Sequence, residues 1–232
     1  MFAPNPWLTL LALAVFVLLC GLGRWQLGRA DEKRVLWAGF EAGSEPATEL
    51  PLTFAPVDRY RQVSVTGRYD AAQQFLLDNM SHAGQPGYHV LTPLLLDDGR
   101  AVLVDRGFVP FGTARRDQIP PIAVGGETRT ITGRADQLPR PAVELPGAAT
   151  SAWPRVVSFP RMAEVAAALG VAVHPQVVLL DPAAPDGFVR DWRPPGLAPE
   201  QHLGYAVQWF GLAATLAAIW LVLSVPKRED AA

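Results

Sequence analysis

A chain of 232 residues with a formal net charge of −2 offers no basic surface of the kind nucleic acid requires. Its single cysteine, Cys20, excludes a disulfide framework without excluding an oxidising compartment. Two long apolar runs near the ends leave a middle portion large enough to form a core of its own.

The first apolar run, residues 7–23, is uncharged, and Trp7 and Trp25 stand at its ends as interface anchors would. A cleaved signal peptide is the competing reading, and it needs a positive start and small residues at the cut site. Residues 1–6 carry no charge, and Leu18 and Leu19 lack the small side chain wanted before Cys20, so a retained membrane helix is expected. Gly23-Arg24-Trp25-Gln26-Leu27-Gly28-Arg29 leaves the membrane as an amphipathic turn, with helix continuing through Ala42. Residues 45–56, rich in Pro, Thr and Glu, read as a surface connection. From Tyr60 the period becomes two: Val63 and Val65 alternate with Ser64 and Thr66, which predicts a half-buried strand.

Further strands are expected at residues 75–77 and 88–96. Asp97-Asp98-Gly99-Arg100 then supplies a hairpin turn, and residues 101–105 return. A Pro-punctuated connection over 110–121 leads to a strand near 128–134, a loop over 138–154 and a short strand at 156–159. Pro160 can open a helix that runs to Leu169, with Gly170 as its stop. One more strand at 173–180 precedes a Pro-rich return over 182–199. The predicted fold is an α+β membrane protein in which two transmembrane helices, one at each end, flank a β-rich extramembrane domain with a curled or partly closed sheet. The expected divisions are residues 1–24 and 201–226 for the helices, 25–200 for the domain and 227–232 for a tail.

Residues 203–225 carry no charged side chain and are long enough to cross the ~30 Å hydrocarbon core as a helix. At 100° per residue, His202, Tyr205, Trp209 and Trp220 share one face, and Gly204, Gly211, Thr215 and Ala218 share the other. The small side chains predict a back that pairs with the first helix, leaving an imidazole among aromatics on the open front. An interfacial belt accounts for the three aromatics as well. Lys227 and Arg228 favour a cytoplasmic C-terminus, whereas Arg24, Arg29, Lys33 and Arg34 pull the other way, so charge alone does not orient the chain.

Five blocks, met in order between the two helices, carry a resemblance. They are Gly23-Arg24-Trp25-Gln26-Leu27 with Arg29, Tyr60-Arg61 with Val63, Val65, Gly67 and Tyr69, and Gly84-Gln85-Pro86-Gly87-Tyr88 before Leu91-Thr92-Pro93-Leu94. Val102-Leu103-Val104-Asp105-Arg106-Gly107-Phe108-Val109-Pro110 and His202-Leu203-Gly204-Tyr205-Ala206 with Trp209-Phe210 complete the set. Together they resemble the Surfeit-locus family of cytochrome c oxidase assembly factors over nearly the whole chain. Phe108 stands where that family commonly has Trp, and Glu200 where Asn often precedes the His block.

The resemblance implies a membrane-anchored, non-catalytic factor with both termini cytoplasmic and the domain in the periplasm, and the expected lack of an Arg-rich, acid-poor presequence favours a member of the bacterial inner membrane. It further implies that the factor helps subunit I of a haem–copper oxidase acquire haem a, with haem a synthase and membrane lipid as further candidate partners. A haem needs an axial nitrogen, ring surface and cations for its propionates. His202 is the candidate iron ligand, Tyr205 and Trp209 offer rings, and Arg24 and Arg29 suit propionates. Arg106 and Trp25 are candidate contacts for the oxidase, and a structural pair of Arg106 with Asp105 or another acid is the simpler alternative.

His82, His89 and His174 lack metal-ligand spacing and read as surface or core residues. No hydrolase elbow, zinc-protease, phosphate-loop or Cys-x-x-Cys signature is present, and one cysteine ill suits a copper chaperone. The rival readings are a cofactor-free scaffold for an oxidase intermediate and an envelope enzyme with its site in the domain.

Overall fold

The computed structural model describes residues 5–42, 46–51, 53–111, 121–140 and 152–225. In chain order the elements are α1 (Pro6–Ala42), β1 (Thr48–Glu49), β2 (Gln62–Tyr69), β3 (Phe75–His82), β4 (Gln85–Leu95) and β5 (Ala101–Pro110). There follow β6 (Thr128–Asp136), β7 (Arg155–Val157), α2 (Met162–Leu169), β8 (Val173–Leu180) and α3 (Pro199–Ser224). They form two compact units, residues 39–193 and the two terminal segments 1–38 and 194–232.

In the terminal unit α1 and α3 are both long and apolar enough to cross a bilayer. As expected, α1 runs unbroken to Ala42. Its covered positions include Thr9, Ala12, Leu19, Gly23, Gln26, Ala30 and Lys33, which follow a spacing of three and four residues. On α3 the matching series is His202, Ala206, Trp209, Ala213, Leu216 and Trp220. Trp220 Nε1 donates to Thr9 Oγ1 at 3.1 Å, Phe210 lies over Gly23, and His202 meets Gln26. The partners descend on one helix as they ascend on the other, so the two helices are antiparallel along a heptad-like seam. Each start is capped: Asn5 Oδ1 accepts from Trp7 N, and Pro199 opens α3, where its missing N–H costs no hydrogen bond.

The domain unit is one eight-stranded sheet ordered β1-β2-β6-β8-β5-β4-β3-β7, with an additional β2–β4 pairing. That pairing joins Arg68 to Leu95 and Tyr69 to Leu94, and it closes the ring β2–β6–β8–β5–β4 into a small barrel. Every ring strand sends residues inward: Val63 and Val65, Leu94, Val102 and Val104, Ile131, and Val178 and Leu180 pack together. Leu103 on β5 and Val177 on β8 point the opposite way and pack with Phe75, Leu77, Leu91 and Val165 of α2. Thus β5 is covered on both faces, which accounts for the unbroken apolar run over residues 101–104 where β2 alternates.

The 97–100 hairpin forms as expected, with Leu96 N donating to Arg100 O at 2.8 Å and Gly99 at φ +80°. Gly170 ends α2 at φ +71°, as anticipated, although Pro160 lies just before the cap residue Arg161 and not in the first turn. Two differences have simple causes. The connection over 45–56 contains β1, two residues that pair parallel with Val63 and Ser64. Strand β5 continues past Asp105 to Pro110, because proline is tolerated at a strand end, where it owes no ladder bond. Arg115, Arg116, most of the expected loop over 138–154 and the tail with Lys227 and Arg228 lie outside the described residues.

Candidate functional site in the helix pair

His202 lies in the first turn of α3, and the residue is only 7% exposed. Its Nδ1 lies 2.7 Å from Gln26 Oε1 of α1, and its Nε2 is buried with no hydrogen-bond partner among the described residues. An amide oxygen only accepts, so Nδ1 carries a proton; in the neutral ring this tautomer leaves the lone pair on Nε2.

The geometry corrects the expected assignment of faces. His202, Trp209 and Trp220 lie along the seam, not on an open front. Gly204, Gly211, Thr215 and Ala218 point away from α1, and a Cβ built on Gly204 or Gly211 would meet nothing within 4 Å. The cause is that α3 carries a second set of small residues, Ala206 and Ala213, on the face of the imidazole itself. Close approach there also gives Gln26 and His202 each other as partners within an otherwise apolar pair. On the outward face Thr215 satisfies its hydroxyl within the helix, at Gly211 O, 2.9 Å away.

The structure therefore brings Trp209 into the seam with His202 and leaves Tyr205 outside it, 44% exposed. Arg24 and Trp25 are exposed on α1, and Arg29 is half-buried and ion-paired with Glu32. At the far end of the seam Thr9, Ala12, Leu13, Phe16, Leu216, Ala217 and Trp220 line an apolar groove of about 240 Å³. Gln26 is the residue that sequence reasoning quoted without giving it a role. An amide at a seam position between Gly23 and Ala30 was the available signal.

Arg106 requires a second correction. It is 1% exposed and does not pair with Asp105. Its Nε donates to Asp186 O at 2.7 Å and its Nη1 to Gln74 Oε1 at 3.1 Å and Ile122 O at 3.0 Å. Nη2 reaches Ala123 O at 3.3 Å, and the guanidinium packs against the rings of Phe188 and Tyr69. Enclosed in this way, it has no surface to offer a docking protein. Burial holds its pKa below the usual arginine value.

Asp105 instead accepts from Gly107 N at 2.9 Å and lies 2.8 Å from His89 Nδ1. Burial works against a charge on His89, but the Asp105 carboxylate outweighs it and the pKa is raised. A pKa higher folded than unfolded adds stability that is complete below the unfolded value of about 6.5 and lost as pH rises through the folded one. His89→Ala is therefore expected to cost about 1–3 kcal/mol in acid, with the deficit shrinking towards alkaline pH. His174, fully buried and held below its ordinary pKa by burial, acts with the opposite sign and weakens the fold as pH falls below about 6.5. Denaturant titrations of both alanine variants at several pH values separate the two.

Among the described residues no group of three or more His, Cys, Asp or Glu could hold a metal ion. An antiparallel pair of apolar helices joined to a closed barrel defines a membrane-anchored protein whose distinctive polar feature in the apolar unit is one imidazole. The chain belongs to the SURF1 family, whose model matches residues 13–214. It is 29% identical over 229 residues to a SURF1-like protein of Monosiga brevicollis, covering 91% of this chain and 85% of that one. It is 32% identical over 224 residues to an uncharacterized SURF1-like protein of Mycobacterium tuberculosis, covering 90% and 81%. Surfeit locus protein 1 of Takifugu rubripes is 25% identical over 228 residues, covering 89% and 92%.

Proposed function

We propose that this chain assists assembly of a haem–copper oxidase in a bacterial inner membrane, holding haem a by His202 until subunit I accepts it. The observation that carries this reading is the buried Nε2 of His202, which no group among the described residues satisfies. A buried polar atom without a partner costs free energy, and an iron ligand is the use that suits an imidazole lone pair. The donor chemistry fits. Trp209 supplies ring surface along the seam, and Arg24 and Arg29, on the α1 turn that carries Gln26, supply cations for propionates.

Because the imidazole is 7% exposed, the first turn of α3 must swing from α1 for a ligand to enter. The contacts to be broken there are the hydrogen bonds from His202 to Gln26 and from Lys33 to Pro195 O, together with packing at Ala206 and of Phe210 over Gly23. Bound haem a would supply the iron that takes up Nε2. The chain performs no bond-making step of its own, and release follows once subunit I offers a stronger ligand set than one histidine. In this reading both termini are cytoplasmic, the domain is periplasmic, and haem a synthase is the donor. Chain purified from cells that make haem a is expected to show a Soret band that His202→Ala abolishes. Absence of the band from the unsubstituted chain would overturn the carrier reading.

A second reading rests on the outward stripe of Gly204, Gly211, Thr215 and Ala218, which would let a partner helix lie directly on α3. As a cofactor-free scaffold the chain would co-purify with subunit I whether or not haem a is made. Gly211→Leu would then break the association.

A further inference from the structure

Resting on the ligand role of His202, we infer that Gln26 is the positioning residue that fixes this imidazole in its Nδ1–H tautomer and so commits Nε2 to a Lewis acid. The two residues stand 176 positions apart and meet only because α1 and α3 pair. A separation of 2.7 Å is at the short end for an N–H···O bond. With the amide oxygen as acceptor a proton must sit on Nδ1, which in the neutral ring leaves a buried lone pair at Nε2. With the amide turned over, Nε2 would carry a buried N–H with no acceptor. Buried donors without an acceptor are the rarer case in proteins.

Near this end Gly23, Ala30 and Ala206 are the buried neighbours along the two helices, and the Lys33 ammonium, one turn on from Ala30, donates to Pro195 O at 2.6 Å. Gln26 thus acts as the hydrogen-bonded support that metal-binding histidines usually have. It orients the ring, selects the tautomer and raises the basicity of the free nitrogen. It also places the ligand under control of helix pairing, since parting α1 from α3 removes the support.

The test uses the full chain with ¹⁵N-labelled histidine, made without haem a and placed in lipid nanodiscs. The unsubstituted chain is expected to show a protonated, pyrrole-type His202 Nδ1 and a pyridine-type Nε2. Gln26→Leu, apolar and of similar size, should leave the helices paired but let the two tautomers exchange. Gln26→Glu keeps an acceptor and should restore the Nδ1–H signal. In a parallel titration with ferric haem followed at the Soret band, Gln26→Leu is expected to bind about 10–100-fold more weakly than the unsubstituted chain, with Gln26→Glu recovering the loss. An unchanged Nδ1–H signal in Gln26→Leu, or a protonated Nε2 in the unsubstituted chain, overturns the inference. Failure of the unsubstituted chain to bind ferric haem overturns the carrier reading, whereas the tautomer signal is read without haem.

Discussion

Replacing Arg106 with leucine is expected to lower the stability of the domain by about 3–5 kcal/mol, as breaking a buried charged network does. The usual argument runs the other way, since exchanging a buried charge for a hydrophobe removes a desolvation cost. Here the acceptors decide. Arg106 gathers Gln74 Oε1 and the backbone oxygens of Ile122, Ala123 and Asp186, which come from separate segments of the chain. Without the guanidinium these oxygens lose a charged donor, at about 1–3 kcal/mol for each left buried and unpaired. Gln74 keeps its bond from the Thr92 hydroxyl at 2.8 Å, which limits the loss at that point. Arg106→Lys should recover less than half, because one ammonium nitrogen cannot reach the acceptors that Nε, Nη1 and Nη2 meet at separate points around the edge of the guanidinium plane. Urea denaturation of the full chain in detergent, read by far-ultraviolet circular dichroism, measures the difference. A loss under about 1 kcal/mol would show that water replaces the guanidinium without penalty.

The second large effect is expected at Gly67. A Cβ there would stand 2.5 Å from Leu95 O and 2.9 Å from Leu94 Cγ, at the place where β2 crosses onto β4. The oxygen belongs to the backbone and cannot turn aside as a side chain could, so Gly67→Ala must part the strands at the closure of the barrel. A cost of about 1–3 kcal/mol is expected, in the range of other overpacking changes. Hydrogen exchange should locate it, with protection lost first at Arg68 and Tyr69, which pair with Leu95 and Leu94. Gly28→Ala is the control. Nothing lies within 4 Å of its Cβ, and an exposed helical glycine replaced by alanine should gain about 0.5–1 kcal/mol.

Much of this fold was legible because local signals and tertiary packing agree. The alternation at Val63 and Val65, the turn at Gly99 and the stop at Gly170 each reflect a constraint that acts within a few residues. Barrel closure was only half legible, since the pairing of Tyr69 with Leu94 depends on a missing Cβ whose neighbour lies on another strand. The face of α3 was misread for a physical reason. The helix carries small residues on two sides, Gly204 and Gly211 on one and Ala206 and Ala213 on the other, and periodicity cannot choose between them. What decides is a polar group on α1, Gln26, which in an apolar phase needs the imidazole as its partner. Arg106 was misread because its acceptors are uncharged and distant in sequence, whereas the adjacent Asp105 serves His89.

Closure of the ring also limits how other proteins can recognise this domain. Strand addition, in which an incoming extended peptide extends a sheet, needs a free margin several residues long. Among the described residues the outermost strands are β1 and β7, two and three residues in length. Neither gives a guest enough main-chain bonds to dock, and the longer margin is the end of β3, where residues 80–82 border β4 alone among the described strands. A partner gripped through side chains or helix faces, by contrast, can be released without unzipping a sheet.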